Sequence, residues 1–205
     1  MLTTDFIAGS PNWIDLGSPD VAASAAFYTA LFGWEFQDAG PEAGGYGFFS
    51  FGGKTVGAAG QLEEGAAPSW TVYFNTPDAN DTAKAVEAAG GTVRVPPTDV
   101  FTEGRFAAFT DPGGAQFAVW QPGDTKGFGA VSSPNTLAWT ELYTPDAAAA
   151  KRFYADVFGW SVTDNDMGGG MVLMGPETMP GIGRMAHLLD PHGAPFAVIA
   201  SENPA

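Results

Sequence analysis

The chain contains no cysteine, and few of its 205 residues carry a positive charge. Without cysteine, disulfide bonds and thiolate–metal sites are excluded. Eight lysines and arginines stand against 23 aspartates and glutamates, so the formal net charge is −15. Such a surface repels nucleic acid and anionic membranes, and we expect neither as a partner.

The sequence also lacks a long apolar run and a leader-like start. No stretch is long enough to span a bilayer, and the first residues have no basic region followed by an apolar one, so no signal peptide is expected. The hydrophobic content of 45% and the aromatic content of 13% predict a well-packed core instead. We therefore expect a soluble, cytoplasmic protein.

One segment of the chain occurs twice. WIDLGSPDVAASAAFYTALFGW begins at Trp13 and returns as WTELYTPDAAAAKRFYADVFGW at Trp139, a shift of 126 residues. A later match, between DPGGAQFAVW from Asp111 and DPHGAPFAVI from Asp190, has a shift of only 79. Since 126 − 79 = 47, the second copy lacks 47 residues. The sequence therefore predicts a complete domain followed by an abbreviated copy of it.

Three similar strings predict helix starts. They are Ser18-Pro19-Asp20, Thr76-Pro77-Asp78 and Thr144-Pro145-Asp146. In each string we expect the hydroxyl to cap free amides and the proline to take the first helical position. Each string follows a strand-like run (NWIDLG, SWTVYFN and LAWTELY) and precedes alanine-rich sequence. The predicted helix ends are Gly33, Gly90-Gly91 and Gly159, because glycine adopts the left-handed conformation easily.

Short strand candidates separated by glycine and proline follow the helices, which predicts an α+β fold built from strand–helix–strand–strand–strand modules. We expect a complete domain at 1–125, with modules at about 10–65 and 66–122. A glycine-rich linker at 126–135 then leads to the abbreviated domain at 136–205.

The helix ends FYTALFGW and FYADVFGW and the DPxG-x-x-FAV hairpins resemble the vicinal oxygen chelate superfamily, the group of glyoxalases, bleomycin-resistance proteins and extradiol dioxygenases. The similarity is greatest to tandem-domain, glyoxalase-like members. It implies paired βαβββ modules that form a U-shaped mixed sheet around a cup. In active members of that family a divalent metal lies at the floor of the cup.

The family's metal-ligand positions fall on unsuitable residues in this sequence. Positions that usually hold His, Gln or Glu correspond to Trp13, Thr71 and Ala118 in the complete domain. In the abbreviated domain they correspond to Trp139 and Ala197. Neither tryptophan nor alanine offers a lone pair to a metal, and a lone threonine hydroxyl is a poor ligand. We therefore predict no bound metal and no cofactor.

The few basic side chains allow two further hypotheses. His187 and His192 both lie in the closing hairpin of the abbreviated domain. A two-histidine site is one interpretation, and a surface turn position is the one we favour. Arg105 and Arg184 follow glycines that enter a strand. Each has the geometry to clamp a carboxylate, but we expect a salt bridge to a helix-start aspartate.

Strand alternation predicts a ligand pocket. If the family's ligand positions face the cup, residues two positions along the same strand face it as well. The predicted lining residues are Trp13, Thr71, Tyr73, Gln116, Trp120 and Trp139. An aromatic cup with few polar groups suits a small organic molecule. The plainer alternative is ordinary core packing of the aromatic rings.

Two acids are the candidate catalytic residues. Asp15 and Glu141 each lie two positions after a tryptophan of the repeat. A carboxylate shielded by aromatic rings is suited to proton transfer. The alternative interpretation is that both are polar ends of half-exposed strands. We favour this alternative over a catalytic role.

The sequence is compatible with three functions. The first is a metal-independent, small-molecule-binding protein of the glyoxalase/bleomycin-resistance type that sequesters a metabolite or drug. The second is a lyase or isomerase that uses Asp15 or Glu141 as acid or base, and the third is an assembly module. The shortened copy predicts an exposed apolar edge, including Met171, Leu173 and Ile182, and hence a homodimer.

Overall fold

A computed structural model describes residues 2–62, 64–164, 177–179 and 181–202. The fold is α+β, as predicted, with an eight-stranded mixed sheet and a separate three-stranded sheet. Among the described residues no helix is long and apolar enough to cross a membrane.

The order of the elements confirms two successive βαβββ modules. The first module consists of β1 (Pro11–Ser18), α1 (Val21–Phe32), β2 (Glu35–Asp38), β3 (Gly47–Phe51) and β4 (Lys54–Gln61), with a 3₁₀ turn at Pro41–Ala43. The second module consists of β5 (Ser69–Asn75), α2 (Ala79–Ala88), β6 (Thr92–Val100), β7 (Gly104–Thr110) and β8 (Gln116–Pro122). The elements that follow are α3 (Ala147–Phe158), β9 (Glu177–Met179), β10 (Gly183–Leu189) and β11 (Pro195–Ser201).

Each module places its first and last strands side by side. The large sheet has the strand order β2-β3-β4-β1-β5-β8-β7-β6. Strands β1 and β4 are parallel, with Asp15 opposite Ala58, and β5 and β8 are parallel, with Tyr73 opposite Ala118. The small sheet has the order β11-β10-β9.

The described residues divide into two compact units. The first unit comprises Met1–Ile14, Lys54–Gly57 and Thr71–Thr163. The second unit comprises Asp15–Gly53, Ala58–Trp70 and Asp164–Ala205. Aromatic side chains form the interior of both. The first unit buries Phe74, Phe109, Phe117, Phe153 and Tyr154, and the second buries Tyr28, Trp34 and Phe49.

The helices are capped by aspartates, which corrects the prediction that serine or threonine caps them and proline starts them. The Asp20 carboxylate accepts a hydrogen bond from Ala23 N–H at 2.9 Å, and Asp78 and Asp146 cap α2 and α3 in the same way. The Ser18 hydroxyl accepts the backbone N–H of Asp20 instead. A charged carboxylate complements the positive end of the helix dipole better than a neutral hydroxyl. Because the aspartate is the cap, the proline before it lies outside the helix.

Of the three predicted helices, two end at a glycine as expected. Gly33 and Gly159 adopt left-handed conformations, with φ of 69° and 70°. Helix α2 is different, because Ala89 is its C-cap at φ −82°. The left-handed glycine, Gly90, follows one residue later.

The predicted strand LAWTELY is absent, which is a correction. Residues 137–143 belong to neither sheet, and Trp139 and Tyr143 are 60% and 54% exposed. Its counterpart β1 lies between β4 and β5, and a strand persists only where its backbone groups are paired. Of the predicted edge residues, Met171 and Leu173 lie outside the described residues, and Ile182 is half-buried.

Candidate functional site

The first unit carries an aromatic face on β5 and β8. Tyr73 pairs with Ala118, and Asn75 pairs with Trp120, in the parallel register of these strands. Residues paired across neighbouring strands project to the same side, and so do residues two apart on one strand. Tyr73 and Trp120 therefore share one face, and Thr71 lies on it too. Gln116, at the start of β8, is exposed.

The Trp120 ring is held in one orientation. Its indole N–H donates to the backbone carbonyl of Thr125 at 2.9 Å. The ring lies over Gly104, where a Cβ atom would come within 2.5 Å of it. Because glycine at this position makes room for the ring, any larger residue there would displace the indole.

Trp13 is buried against a residue that the sequence analysis missed. Its ring stacks on Phe128 with a centroid distance of 5.9 Å and an interplanar angle of 24°. Trp13 and Phe128 are only 8% and 3% exposed. Phe128 N–H donates to Asn12 O at 3.0 Å, which fixes the segment beside β1. In the sequence, the one feature that marks Phe128 is its place between two glycines in the predicted linker.

Asp15 lies in the second unit and has a tyrosine beside it. The Tyr46 hydroxyl donates to Asp15 Oδ2 at 3.4 Å, and both residues are half-buried. Small residues surround the pair, since Asp15 is opposite Ala58 and Gly17 is opposite Gly60. A Cβ atom at Gly60 would lie 2.9 Å from the Tyr46 ring. The missing side chain at Gly60 therefore leaves room for the Tyr46 phenol ring next to the Asp15 carboxylate.

Glu141, the second candidate acid, is solvent-exposed. It accepts a hydrogen bond from the Tyr143 hydroxyl at 2.8 Å. Desolvation, with the hydrogen bond and charge of Glu141, raises the pKa of Tyr143 to about 12. Trp139, two residues before Glu141, is also exposed. Because Trp139 and Glu141 do not lie on a strand, the alternation of side chains along a strand does not apply to them.

Each unit contains a buried tyrosine–aspartate pair. Tyr154 donates to Asp111 Oδ2 at 3.0 Å in the first unit. In the second unit Tyr28 donates to Asp190 Oδ2 at 3.3 Å and accepts from the Trp70 indole at 3.0 Å. Burial raises the pKa of both tyrosines well above the usual range, and the aspartate charges raise it further. In each pair the helix of one repeat bonds the hairpin of the other.

Arg105 pairs with a strand residue, which corrects the prediction of a helix-start partner. Its Nη1 atom lies 2.6 Å from Asp99 Oδ1, and Nη2 donates to Pro97 O at 2.9 Å. The antiparallel register of β6 and β7 places Asp99 directly opposite Arg105. This proximity along the ladder decides the partner.

The described residues contain no group of three or more His, Asp or Glu side chains arranged to hold a metal. Thr71 and Ala118, which the resemblance predicts to be at ligand positions, lie on the aromatic face. Ala197, a third such position, pairs with the exposed His187 on β10. His192 donates its backbone N–H to Asp190 within the hairpin turn. A methyl group and a lone hydroxyl do not fit a divalent cation.

Comparison with protein families identifies the class. The family described as the Glyoxalase/Bleomycin resistance protein/Dioxygenase superfamily matches residues 10–119. The family described as Bleomycin resistance protein-like N-terminal matches residues 136–175. The chain belongs to the glyoxalase/bleomycin resistance/dioxygenase superfamily, as its resemblance predicted.

Two named relatives align with nearly the whole chain. One is the anthracycline biosynthesis protein DnrV of Streptomyces peucetius, 37% identical over 261 residues, with 96% of this chain and 94% of the relative covered. Another is the putative glyoxylase CFP32 of Mycobacterium tuberculosis, 30% identical with 96% of each chain covered. Because 261 aligned positions exceed 205 residues by 56, at least 56 positions of the DnrV alignment have no counterpart in this chain.

Solved structures show the same fold. A Mn(II)-bound glyoxalase from Novosphingobium aromaticivorans has a TM-score of 0.63 at 19% identity, covering 93% of this chain and 82% of that one. The 2,3-dioxygenase LapB from Pseudomonas sp. KL28 has a TM-score of 0.60 at 14% identity, covering 97% and 96%. At such identities the likeness concerns the fold alone.

Proposed function

We propose that the protein binds a planar aromatic small molecule, without a metal ion, at the aromatic face of the first unit. The observation that carries this proposal is that the register of β5 and β8 puts Tyr73 and Trp120 on the same side of the sheet. Aromatic side chains bind flat rings by offset stacking or edge-to-face contact, worth about 0.5–1.5 kcal/mol per pair beyond burial. Thr71 adds a hydroxyl that is available to orient a polar substituent.

The class of ligand follows from the relatives and from charge. DnrV is named for anthracycline biosynthesis, and anthracyclines contain a planar, fused-ring quinone. This chain carries a formal charge of −15, which disfavours anionic ligands over neutral or cationic ones. The proposed ligand is therefore a neutral or cationic polycyclic aromatic compound.

Metal independence is supported by the chemistry of the ligand positions. The resemblance implies that Trp13, Thr71 and Ala118 stand where the family usually has His, Gln or Glu, and none of the three is a useful ligand for a divalent cation. Binding would then rest on stacking and apolar contact. This is how a sequestering protein of the bleomycin-resistance type would hold its ligand.

A fluorescence titration tests the site. Tryptophan emission is followed as a neutral hydroxyanthraquinone or a cationic aminoanthraquinone is added to wild-type protein. Trp120→Ala should weaken binding by about 1–3 kcal/mol, as expected for a buried aromatic contact. Trp139→Ala is the matched control, because Trp139 is exposed and lies outside the aromatic face. Equal affinities of the two variants would place the ligand elsewhere.

A second candidate function is proton transfer by Asp15. The observation that favours it is the Tyr46 hydroxyl 3.4 Å from the carboxylate, a donor beside an acid. Such a pair would serve a lyase or isomerase reaction, in which one group removes a proton and the other stabilises the charge. Turnover of an aromatic substrate that survives unchanged in Asp15→Asn would exclude this role. Glu141 is the weaker candidate because it is exposed.

A further inference from the structure

Residues 123–129, which we call the strap, follow β8 and contact Trp13 and Trp120, two of the four tryptophans of the first unit. At its start the strap is tied to the β6–β7 turn by backbone bonds. Gly123 N–H and Thr125 N–H donate to Glu103 O at 2.9 and 3.1 Å, and Asp124 N–H donates to Thr102 O at 3.0 Å. This end is therefore firmly attached.

The middle and end of the strap contact the aromatic rings. Thr125 O accepts the indole N–H of Trp120, and three residues later Phe128 stacks on Trp13. One short segment thus fixes one tryptophan by a hydrogen bond and covers the other with a ring. The ring of Phe128 is the single aromatic group that the strap contributes.

Glycines on both sides of Phe128 shape this contact. Gly127 has φ of 148°, and a Cβ atom there would lie 2.5 Å from Asn12 O. Gly129 donates to Thr55 O at 2.7 Å. Neither neighbour has a side chain, so Phe128 is the one residue of 127–129 that places a ring against Trp13, and the ring leaves Trp13 only if this segment moves.

We infer that the strap is an internal competitor, and that the Phe128 ring occupies the place where an aromatic ring of the ligand stacks on Trp13. The inference rests on the proposed function. The Trp13 ring is buried and stacks nearly parallel to the Phe128 ring at 5.9 Å, so the place that Phe128 occupies suits a flat ring. A ligand must displace Phe128 to use this slot. The strap therefore sets the affinity and selects ligands whose rings stack better than one phenyl group.

Removing the competing ring is the first test. The same anthraquinones are titrated into wild-type protein and Phe128→Ala, with binding measured by calorimetry. Phe128→Ala should bind about tenfold more tightly, because the ligand no longer competes with an aromatic stack. Phe101→Ala is the control, since Phe101 is 86% exposed on the adjoining turn, and it should bind like wild type.

Locking the strap is the second test, and it does not depend on the folding of Phe128→Ala. A Cβ atom at Gly129 would lie 3.1 Å from the Lys54 Cβ atom, slightly closer than the roughly 3.5–4.5 Å of a disulfide. It would also lie 2.9 Å from Thr55 N, so a cysteine there requires a small backbone shift, which both redox forms share. The chain has no cysteine, so Lys54→Cys with Gly129→Cys can form only one intramolecular disulfide. The oxidised form should bind at least about tenfold more weakly than the reduced form of the same protein.

The outcomes separate the two proposals. Tighter binding by Phe128→Ala, or binding restored on reduction of the disulfide, supports the strap as competitor. If wild-type protein binds the ligand while Phe128→Ala and both redox forms bind it equally well, the strap inference is wrong and the proposed function stands. If wild-type, Phe128→Ala and reduced proteins all fail to bind, the proposed function fails and the inference falls with it.

Discussion

Replacing Tyr154 by phenylalanine tests whether the buried tyrosine–aspartate pairs stabilise the fold. The substitution removes one hydroxyl and its 3.0 Å hydrogen bond to Asp111 Oδ2. Hydrogen bonds to charged groups contribute about 1.5–3 kcal/mol. The Asp111 carboxylate keeps two other donors, Gly113 N–H at 2.9 Å and Ala115 N–H at 2.8 Å. We therefore expect a loss of about 2 kcal/mol in the free energy of unfolding.

Tyr143→Phe is the matched control for this prediction. The Tyr143 hydroxyl is also bonded to a carboxylate, and its distance of 2.8 Å is shorter. Tyr143 is 54% exposed, however, whereas Tyr154 is buried, and water replaces an exposed hydrogen bond at little cost. Urea denaturation followed by circular dichroism should show a loss below about 0.5 kcal/mol for Tyr143→Phe. A loss in Tyr143→Phe as large as in Tyr154→Phe would refute the argument from burial.

Three further predictions concern pH, capping and assembly. Burial raises the pKa of Tyr28 and Tyr154 in the folded state, so their contribution to stability is complete below the unfolded value of about 10. It is lost as the pH rises above that value, by about 1.4 kcal/mol per pH unit for each tyrosine. Denaturation between about pH 9 and 11.5 measures this slope, and in Tyr154→Phe it should become less steep by about 1.4 kcal/mol per pH unit. Asp146→Ala removes the α3 N-cap and should destabilise the protein by about 1 kcal/mol in the same assay, and no change would contradict the cap. The exposed Trp139 and Leu142 support the proposed homodimer. Light scattering should therefore give twice the 21.2 kDa chain mass, and Trp139→Ser and Leu142→Ser should lower the measured mass toward that of the monomer. A monomeric wild-type protein would exclude dimerisation.

The helices and most strands could be predicted because their signals are local. Alanine-rich sequence, alternation and glycine ends such as Gly33 depend on neighbouring residues alone. The cap was misassigned because Ser18, Pro19 and Asp20 are all plausible at a helix start, and only the observed bond from Ala23 to Asp20 decides among them.

The repeat predicts a strand at 137–143 that the structure does not have. Similarity to β1 predicted a strand, but a strand depends on its neighbours as well as on its own residues. β1 has β4 and β5 on its two sides, whereas Trp139 lies outside both sheets. The repeated sequence therefore has the strand propensity of β1 but lacks neighbouring strands that would form hydrogen bonds with it.

The candidate site was predicted only in part. Alternation along β5 and β8 predicted that Tyr73 and Trp120 share one face, and the register of the two strands agrees with this placement; their role in binding stays a prediction. It could not find Phe128 beside Trp13, or Tyr46 beside Asp15, because these contacts join segments far apart in the chain. The positions of Phe128 and Tyr46 depend on the paths of loops, and the periodic pattern of the sequence does not predict those paths.

The most direct test of the central claim is a calorimetric titration of chelator-treated protein with a neutral or cationic anthraquinone. The account predicts saturable binding at one site per chain, unchanged when Mn²⁺ or Ni²⁺ is restored and weakened by Trp120→Ala. Binding that appears only after metal is added, together with one equivalent of metal retained through dialysis, would contradict it.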